Sequence, residues 1–117
     1  MEEFYRLLAN YNNRLLKIEQ CPNWHLIYCK RVMPIYLSIL LKRLENLDKN
    51  LSIIEVGSGY GDIVAMLIHL GFKKIIGIER DESACKAANT KIKALFKTEK
   101  EYIICTEYPV KLKYSPD

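Results

Sequence analysis

The amino-acid sequence predicts an α/β fold with a small parallel sheet of about three strands, preceded by a helical N-terminal extension. The first observation is an apolar run, Ile53–Val56, that leads into three alternating glycines, Gly57, Gly59 and Gly61. The second is another apolar run, Lys73–Glu79, separated from the glycines by a stretch of helical periodicity. A further helical pattern follows it. Strands that alternate with helices are typical of parallel sheets, because the chain crosses between neighbouring strands through a helix.

Composition and charge are those of one ordinary globular domain. The chain has 117 residues, 50% of them hydrophobic, and a net charge of +4 from 18 basic and 14 acidic side chains. No run approaches about 18 uninterrupted apolar residues, so no membrane-spanning helix is expected. The four cysteines form no C-x-x-C pair and the first residues are acidic rather than signal-like. We therefore expect reduced thiols and a cytoplasmic location. The basic residues are spread along the chain and do not indicate nucleic-acid binding.

The predicted extension covers residues 1–50 and consists of helices. Apolar residues over 2–19 recur at intervals of three and four, which indicates one helical face. Pro22 breaks this pattern, and a second helical region is expected over 24–47. Pro34 lies inside that region, where it either kinks one long helix or begins another. The apolar positions that define the two faces are Phe4, Leu7, Leu8, Tyr11, Leu15 and Ile18, then Trp24, Ile27, Tyr28, Tyr36, Ile39, Leu40, Leu44 and Leu47.

The glycine turn carries the functional signal. Glycine permits positive φ and leaves no Cβ between the backbone and a ligand, and the next helix begins with free N–H groups. The dinucleotide-binding fingerprint G-x-G-x-x-G fails, because Asp62 stands where its third glycine belongs. The pattern present is E-x-G-x-G-x-G, from Glu55 to Gly61. This pattern resembles the first motif of Rossmann-like S-adenosylmethionine-dependent methyltransferases.

The resemblance implies a Rossmann-like three-layer unit over residues 51–117 that binds S-adenosylmethionine and is packed with the extension as one domain. It implies that Glu55 orients the methionine end of the ligand, and that the backbone of Gly57, Ser58 and Gly59 lines it. Tyr60 either stacks near the ligand or is an exposed loop aromatic. Glu79 ends the second strand about twenty residues beyond the turn, where a carboxylate can accept both ribose hydroxyls.

The remaining segments complete a strand–helix–strand–helix–strand unit. Asp81 is expected to cap a helix that runs to about Phe96, and 101–105 is expected to form the third strand. In the family an acidic residue near the end of that strand often contacts adenine. Glu107 is the nearest candidate, but Pro109 follows where a helix is expected, which favours a loop acid.

The resemblance covers about residues 51–107, roughly half of a methyltransferase domain. The family's fourth strand, which lies beside the first, has no counterpart in the pattern, so the first strand is predicted to have an open edge. Three sources could cover this edge: the N-terminal helices, a second copy forming a homodimer, or a missing C-terminal half if the chain is a fragment. We favour the fragment at this stage.

Function is predicted as methyl transfer to an acceptor that the sequence leaves open among small molecules, sugars, proteins and RNA. The alternatives are a non-catalytic methyltransferase-like module that acts as an assembly partner and, less favoured, a dinucleotide-binding protein. No catalytic residue is assigned, since methyl transfer can depend mainly on positioning. Cys21, His25 and Cys29 have the spacing of one helical face, but Pro22 and the lack of a fourth ligand favour packing over a metal site.

Overall fold

The computed structural model describes residues 3–4, 6–11 and 33–107 of the chain. The chain divides into two compact units, Met1–Leu47 and Asp48–Asp117, which are described separately below. Cys21, His25 and Cys29, the expected break at Pro22 and the middle of the predicted extension lie outside the described residues. The assignment of an extension and a ligand-binding unit to residues 1–50 and 51–117 stays a prediction.

The first unit contains helical residues at 3–4 and 6–11 and one longer helix, α1 (Met33–Leu44). Phe4 and Leu8 are buried, as the predicted helical face requires, whereas Leu7 is 51% exposed. The interval of four residues between Phe4 and Leu8 defines this buried stripe, and the adjacent Leu7 lies beside it.

Helix α1 buries the predicted face only in part, since Leu40 and Leu44 are half-buried. Leu37 is fully buried, whereas Tyr36 and Ile39, which were predicted to face the core, are 46% and 55% exposed. The apolar residues of this helix occur on more than one side, so periodicity could not select the buried one. Pro34 is the second residue of the described helix, in its first turn, where a missing N–H has no cost.

The second unit is a three-stranded parallel sheet with two helices. Its strand order is β1-β2-β3, which confirms the predicted Rossmann-like α/β class. The register pairs Ile53 with Ile75 and Ile78 with Ile104. The third strand is shorter than predicted, because it begins at Ile103 rather than at residue 101. The elements are β1 (Ser52–Val56), α2 (Asp62–Leu70), β2 (Lys74–Glu79), α3 (Glu82–Phe96) and β3 (Ile103–Cys105).

Local sequence signals set the ends of both helices of this unit. Gly71 ends α2 in a left-handed conformation with φ of 99°, and its N–H donates to carbonyl groups of the last turn. Asp81 caps α3 by accepting the Ala84 N–H at 3.2 Å. Both helix ends were predicted from the sequence and are confirmed. They fix the two crossovers that bring the carboxyl ends of the strands together.

The core of the second unit is formed by β2 with the inner faces of α2 and α3. Ile75, Ile76 and Ile78 are at most 5% exposed, and α2 buries four consecutive residues, Val64–Leu67. Strand β1 is at one end of the described sheet, and Ile54 and Val56 on it are 45% and 54% exposed. Within the described residues, no helix is both long and apolar enough to span a membrane.

Candidate functional site

A cavity of about 310 Å³ lies at the carboxyl ends of the three strands. This is where ligands bind in open parallel sheets, because crossovers leave a crevice there. Gly57 and Glu79 line it, as the sequence analysis expects of ligand-contacting residues. Glu55, Ser58, Gly59 and Tyr60 are not among the described residues at its wall. The full described lining is Val56, Gly57, Ile78, Glu79, Arg80, Thr106 and Glu107.

The Glu79 carboxylate is held rigidly at the wall of this cavity. Its Oε1 accepts the Gly59 N–H at 3.0 Å, and its Oε2 accepts the Asp81 N–H at 2.8 Å. The side chain therefore links the glycine turn after β1 to the turn after β2. Each carboxylate oxygen has two lone-pair directions, so both oxygens keep acceptor capacity for a ligand hydroxyl.

The glycine turn leaves open space where side chains would otherwise stand. Gly57 and Gly59 have φ of 75° and 54°, and a Cβ built on either would meet nothing within 4 Å. The N–H groups of Gly57 and Ser58 both donate to the Ile78 carbonyl, at 2.8 and 3.0 Å. These two residues thus offer a ligand backbone surface rather than free donors. The open space beside the turn is a cradle in the sense the motif implies.

Two further glycines hold this turn against the rest of the unit. Gly61 has φ of 79°, and a Cβ there would lie 3.1 Å from the Ala88 Cβ of α3. A Cβ on Gly77 of β2 would overlap the Ser58 hydroxyl, which is buried beneath the turn. The Ser58 side chain consequently faces the protein, and its hydroxyl donates to the Glu55 carbonyl at 3.2 Å.

Glu55 lies on β1 opposite Gly77, beneath the turn. Its Oε1 is buried and has no hydrogen-bond partner among the described residues. Burial raises the pKa of Glu55 to about 7; a hydrogen bond from the Ser58 side chain acts in the opposite direction, and the nearby Asp62 charge adds to the rise. A buried carboxyl group with an unused oxygen is a site at which a cationic donor group would be stabilised.

A buried ion pair lies next to Glu55. Lys91 Nζ of α3 contacts Asp62 Oδ1 of α2 at 2.8 Å, and their side chains are 0% and 8% exposed. The pair joins the first residue of α2 to α3 directly below the turn. This region contains two carboxyl groups, of Glu55 and Asp62, and one ammonium group, of Lys91. Lys91 pairs with Asp62, so neither of the other two side chains supplies a cation for Glu55.

Sequence reasoning did not find the ion pair or the cavity residues Arg80 and Thr106. A signal for Lys91 was present, because it follows Ala87 and Ala88 at the helical intervals of four and three, which places it on the buried face of α3. Glu107 lines the cavity and is exposed, and the loop acid that the sequence analysis favoured over an adenine contact stays a prediction. No group of three or more metal-ligating side chains is found within the described ranges.

Comparison with known protein families identifies the chain. Residues 3–107 match the family model described as Protein-L-isoaspartate(D-aspartate) O-methyltransferase. The chain belongs to this family. The match begins at residue 3, so it extends further toward the N-terminus than residues 51–107, to which the sequence analysis limited the resemblance. No curated protein and no solved structure matches the chain.

The match makes the chain a member of a family of S-adenosylmethionine-dependent methyltransferases, as the glycine motif predicted. The site of this methyltransferase fits that donor on three observations: the open cradle at Gly57 and Gly59, the anchored carboxylate of Glu79, and the unused buried oxygen of Glu55. The glycine cradle suits close approach of a ligand to the backbone. The Glu79 carboxylate suits hydroxyl groups, and the Glu55 oxygen suits an ammonium group.

Proposed function

We propose that this methyltransferase holds S-adenosylmethionine across the carboxyl ends of β1 and β2 and transfers its methyl group to a carboxylate on a protein. The observation that carries the proposal is Glu79, whose two carboxylate oxygens are fixed by Gly59 and Asp81 at the wall of the cavity. Fixed acceptors lose little conformational freedom when a ligand binds, which favours affinity.

Each residue of the site has a distinct proposed role. Glu79 accepts the ribose hydroxyls, and Glu55 pairs its unused oxygen with the ammonium group of the methionine end. The backbone of Gly57, Ser58 and Gly59 lines the ligand at the turn. Tyr60, which is half-buried, lies near the ligand at the outer side of the same turn. The turn's bonds to Ile78 and Glu79 hold this surface in place before the ligand arrives.

The proposed acceptor is an isoaspartyl or D-aspartyl carboxylate, on the strength of the family description. S-adenosylmethionine supplies an electrophilic methyl group on a sulfonium centre. A carboxylate is already anionic at neutral pH, so a protein side chain is not required to remove a proton. The contribution of this chain is then to hold the donor in line with the acceptor, which agrees with a site built from backbone and two carboxylates.

A non-catalytic module is the second candidate, and the open edge of β1 favours it. Three strands and two helices make up the described second unit, and the carboxyl end of β1 borders solvent on one side. In that case the chain binds the donor and passes it to, or assembles with, another polypeptide. Binding of the donor without methyl transfer to an isoaspartyl peptide would distinguish this candidate from the first.

We also propose that another strand covers the edge of β1 in the working enzyme. The N-terminal helices, a second copy of the chain and the C-terminal half of a methyltransferase domain are the three sources expected from the sequence, and the last two supply a strand. For this chain by itself we propose the second copy, because no strand of the described residues pairs with the backbone of this edge. A cytoplasmic location, in which the cysteines stay reduced, remains part of the proposal.

The ligand site is tested by calorimetric titration with S-adenosylhomocysteine. We expect Glu79→Ala to weaken binding at least tenfold, or about 1.4 kcal/mol, because the ribose loses its acceptor and the turn loses its anchor. Glu82→Ala is the matched control, since Glu82 is an exposed acid in the first turn of α3. Equal affinities of wild type and Glu79→Ala, with both folded by circular dichroism, would contradict the assignment. Nicotinamide dinucleotide is expected not to compete.

A further inference from the structure

Two thiol groups converge beside Glu79, where α3 begins and β3 ends. Cys85 Sγ donates to the Glu79 carbonyl oxygen at 3.0 Å, and Cys105 Sγ donates to the carbonyl oxygen of the next residue, Arg80, at 3.7 Å. Cys105 is also the register partner of Glu79 across β2 and β3. Both cysteines are free thiols. These hydrogen bonds place both sulfur atoms at the carboxyl end of β2, where the two residues line one cavity.

A shared cavity and one exposed thiol support a reactive pair. The Cys105 thiol is near enough to contribute to the rise in the pKa of the Cys85 thiol. Both cysteines line a cavity of about 450 Å³ between α3 and β3, separate from the cavity at the strand ends. Cys105 is exposed and Cys85 is buried, so a small reagent in this cavity reaches Cys105 first.

We propose that Cys85 and Cys105 form an oxidation site in which a peroxide converts the two thiols into a disulfide, and that this disulfide weakens ligand binding at Glu79. The weakened ligand binding rests on the proposed function, whereas the formation of the disulfide does not. In the reduced protein the Cys85 thiol supports the Glu79 backbone, and this contact is lost when its hydrogen is removed.

The chemistry proceeds in two balanced steps. Cys105 sulfur attacks one peroxide oxygen and becomes a sulfenic acid, and the other oxygen leaves as an alcohol. Cys85 sulfur then attacks the sulfenic sulfur, and the hydroxyl group leaves with the Cys85 proton as water. Two thiols and one alkyl hydroperoxide thus give one disulfide, one alcohol and one water; with hydrogen peroxide the products are one disulfide and two waters. Burial, together with the Cys105 thiol and the charges of Glu79 and Asp81, raises the pKa of Cys85 to about 12, so the exposed Cys105 rather than Cys85 is the sulfur that attacks the peroxide.

The first turn of α3 carries the effect to the ligand site. A disulfide requires the sulfur atoms to approach to about 2.0 Å, so Cys85 and Cys105 must move toward each other. The Cys85 N–H donates to the Asp81 carbonyl at 2.9 Å, and the Asp81 N–H in turn holds Glu79 Oε2 at 2.8 Å. Displacement of Cys85 therefore shifts one of the two donors that orient the Glu79 carboxylate.

The test treats the purified chain with stoichiometric hydrogen peroxide, blocks remaining thiols and maps disulfides by peptide mass spectrometry. We expect a Cys85–Cys105 linkage that a dithiol reductant reverses. Titration with S-adenosylhomocysteine is expected to show about fivefold weaker binding to the oxidised chain than to the reduced chain, with recovery after reduction. The Cys105→Ser variant, treated in the same way, is expected to keep the affinity of its untreated form.

Controls separate the oxidation site from the proposed function. The Cys21→Ser/Cys29→Ser variant removes the other two cysteines and is expected to form the same linkage. Mapping does not depend on ligand binding, so Glu79→Ala is expected to lose affinity and still form the disulfide. Irreversible oxidation of Cys105, or a disulfide that involves Cys21 or Cys29, would overturn the oxidation site. Unchanged affinity of the mapped disulfide form would overturn the coupling to Glu79.

Discussion

Folding raises the pKa of the Glu55 side chain. The side chain lies beneath the glycine turn, close to Ser58, and Asp62 faces it from the start of α2 with Lys91 paired to that carboxylate from α3. Burial raises the pKa of Glu55 to about 7 from an ordinary value of 4.5. The native chain therefore binds a proton more tightly than the unfolded chain. This contribution to stability is fully present below pH 4.5 and is lost as pH rises through about 7.

Substitution of Glu55 by glutamine should remove this pH dependence. We expect the stability of Glu55→Gln relative to wild type to rise by up to about 3 kcal/mol between pH 4.5 and 8, because the amide has no charge to desolvate. Urea unfolding of both chains across this range measures the difference. Glu82→Gln makes the same charge change at an exposed site and should track wild type. Parallel stability curves for Glu55→Gln and wild type would refute the raised pKa.

Local signals made part of the site predictable from sequence. Positive φ at Gly57 and Gly59, the cap at Asp81 and the strand-end position of Glu79 each follow from residue type and spacing over a short segment. The ligand-binding roles of all the assigned residues stay predictions, those of Glu55 and Ser58 among them. Glu55 and Ser58 lie beneath the turn and are not among the residues that line the cavity. Glu55 is paired with Gly77 in the sheet, and the Ser58 hydroxyl packs against the same glycine.

Pairs joined only by the tertiary fold were not predictable. Asp62 and Lys91 are 29 residues apart, and each type is ordinarily a solvated surface residue. Cys85 and Cys105 come together because β3 pairs beside β2, a register that spacing does not encode. The buried stripe of α1 was predicted only in part, since Tyr36 and Ile39 are exposed and apolar residues occur on several faces of this helix. The position of the glycine turn could therefore be predicted from residue types. The side-chain pairs that pack around it could not, because they depend on contacts between elements.

The junction between α2 and α3 depends on the buried Lys91–Asp62 pair. Lys91→Met removes the ammonium group and leaves the Asp62 carboxylate buried beside Glu55. We expect a loss of about 3–5 kcal/mol in the free energy of unfolding, because a buried charge without its partner keeps its desolvation cost. Urea unfolding at pH 8 measures this loss. Ligand affinity should fall as well, since α2 begins directly after the glycine turn.

Lys93→Met is the matched control for this prediction. Lys93 lies one half-turn further along α3 and pairs with Glu101 at 3.0 Å, but these side chains are 32% and 65% exposed. An exposed pair contributes about 0–1 kcal/mol, so this variant should be nearly as stable as wild type. Similar losses in Lys91→Met and Lys93→Met would show that the buried pair has no special role at the junction.

At the scale of the whole molecule, the two ends of the described sheet differ. At the β3 end, the Asn89 side chain accepts the Ile103 N–H at 3.0 Å and donates to the Ile103 carbonyl at 2.9 Å. This side chain occupies backbone groups that another strand would otherwise use. At the β1 end, no further strand of the described residues pairs with the edge, and Ile54 and Val56 are exposed. Within the described residues, only the β1 end therefore keeps backbone groups to which a further strand can be added.

Self-association through β1 is the expected consequence. We predict that sedimentation velocity detects a dimer at roughly 100 µM chain, because pairing two β1 edges satisfies their backbone hydrogen-bonding groups. Ile54→Lys places a charge on this edge strand and should shift the chain to monomer. Ile35→Lys is the control, since Ile35 is 65% exposed on α1 and is not on the sheet. A monomeric wild-type chain would contradict self-pairing and would leave the remaining strands of a methyltransferase domain as the cover. Dimers of Ile54→Lys as stable as those of wild type would place the contact elsewhere.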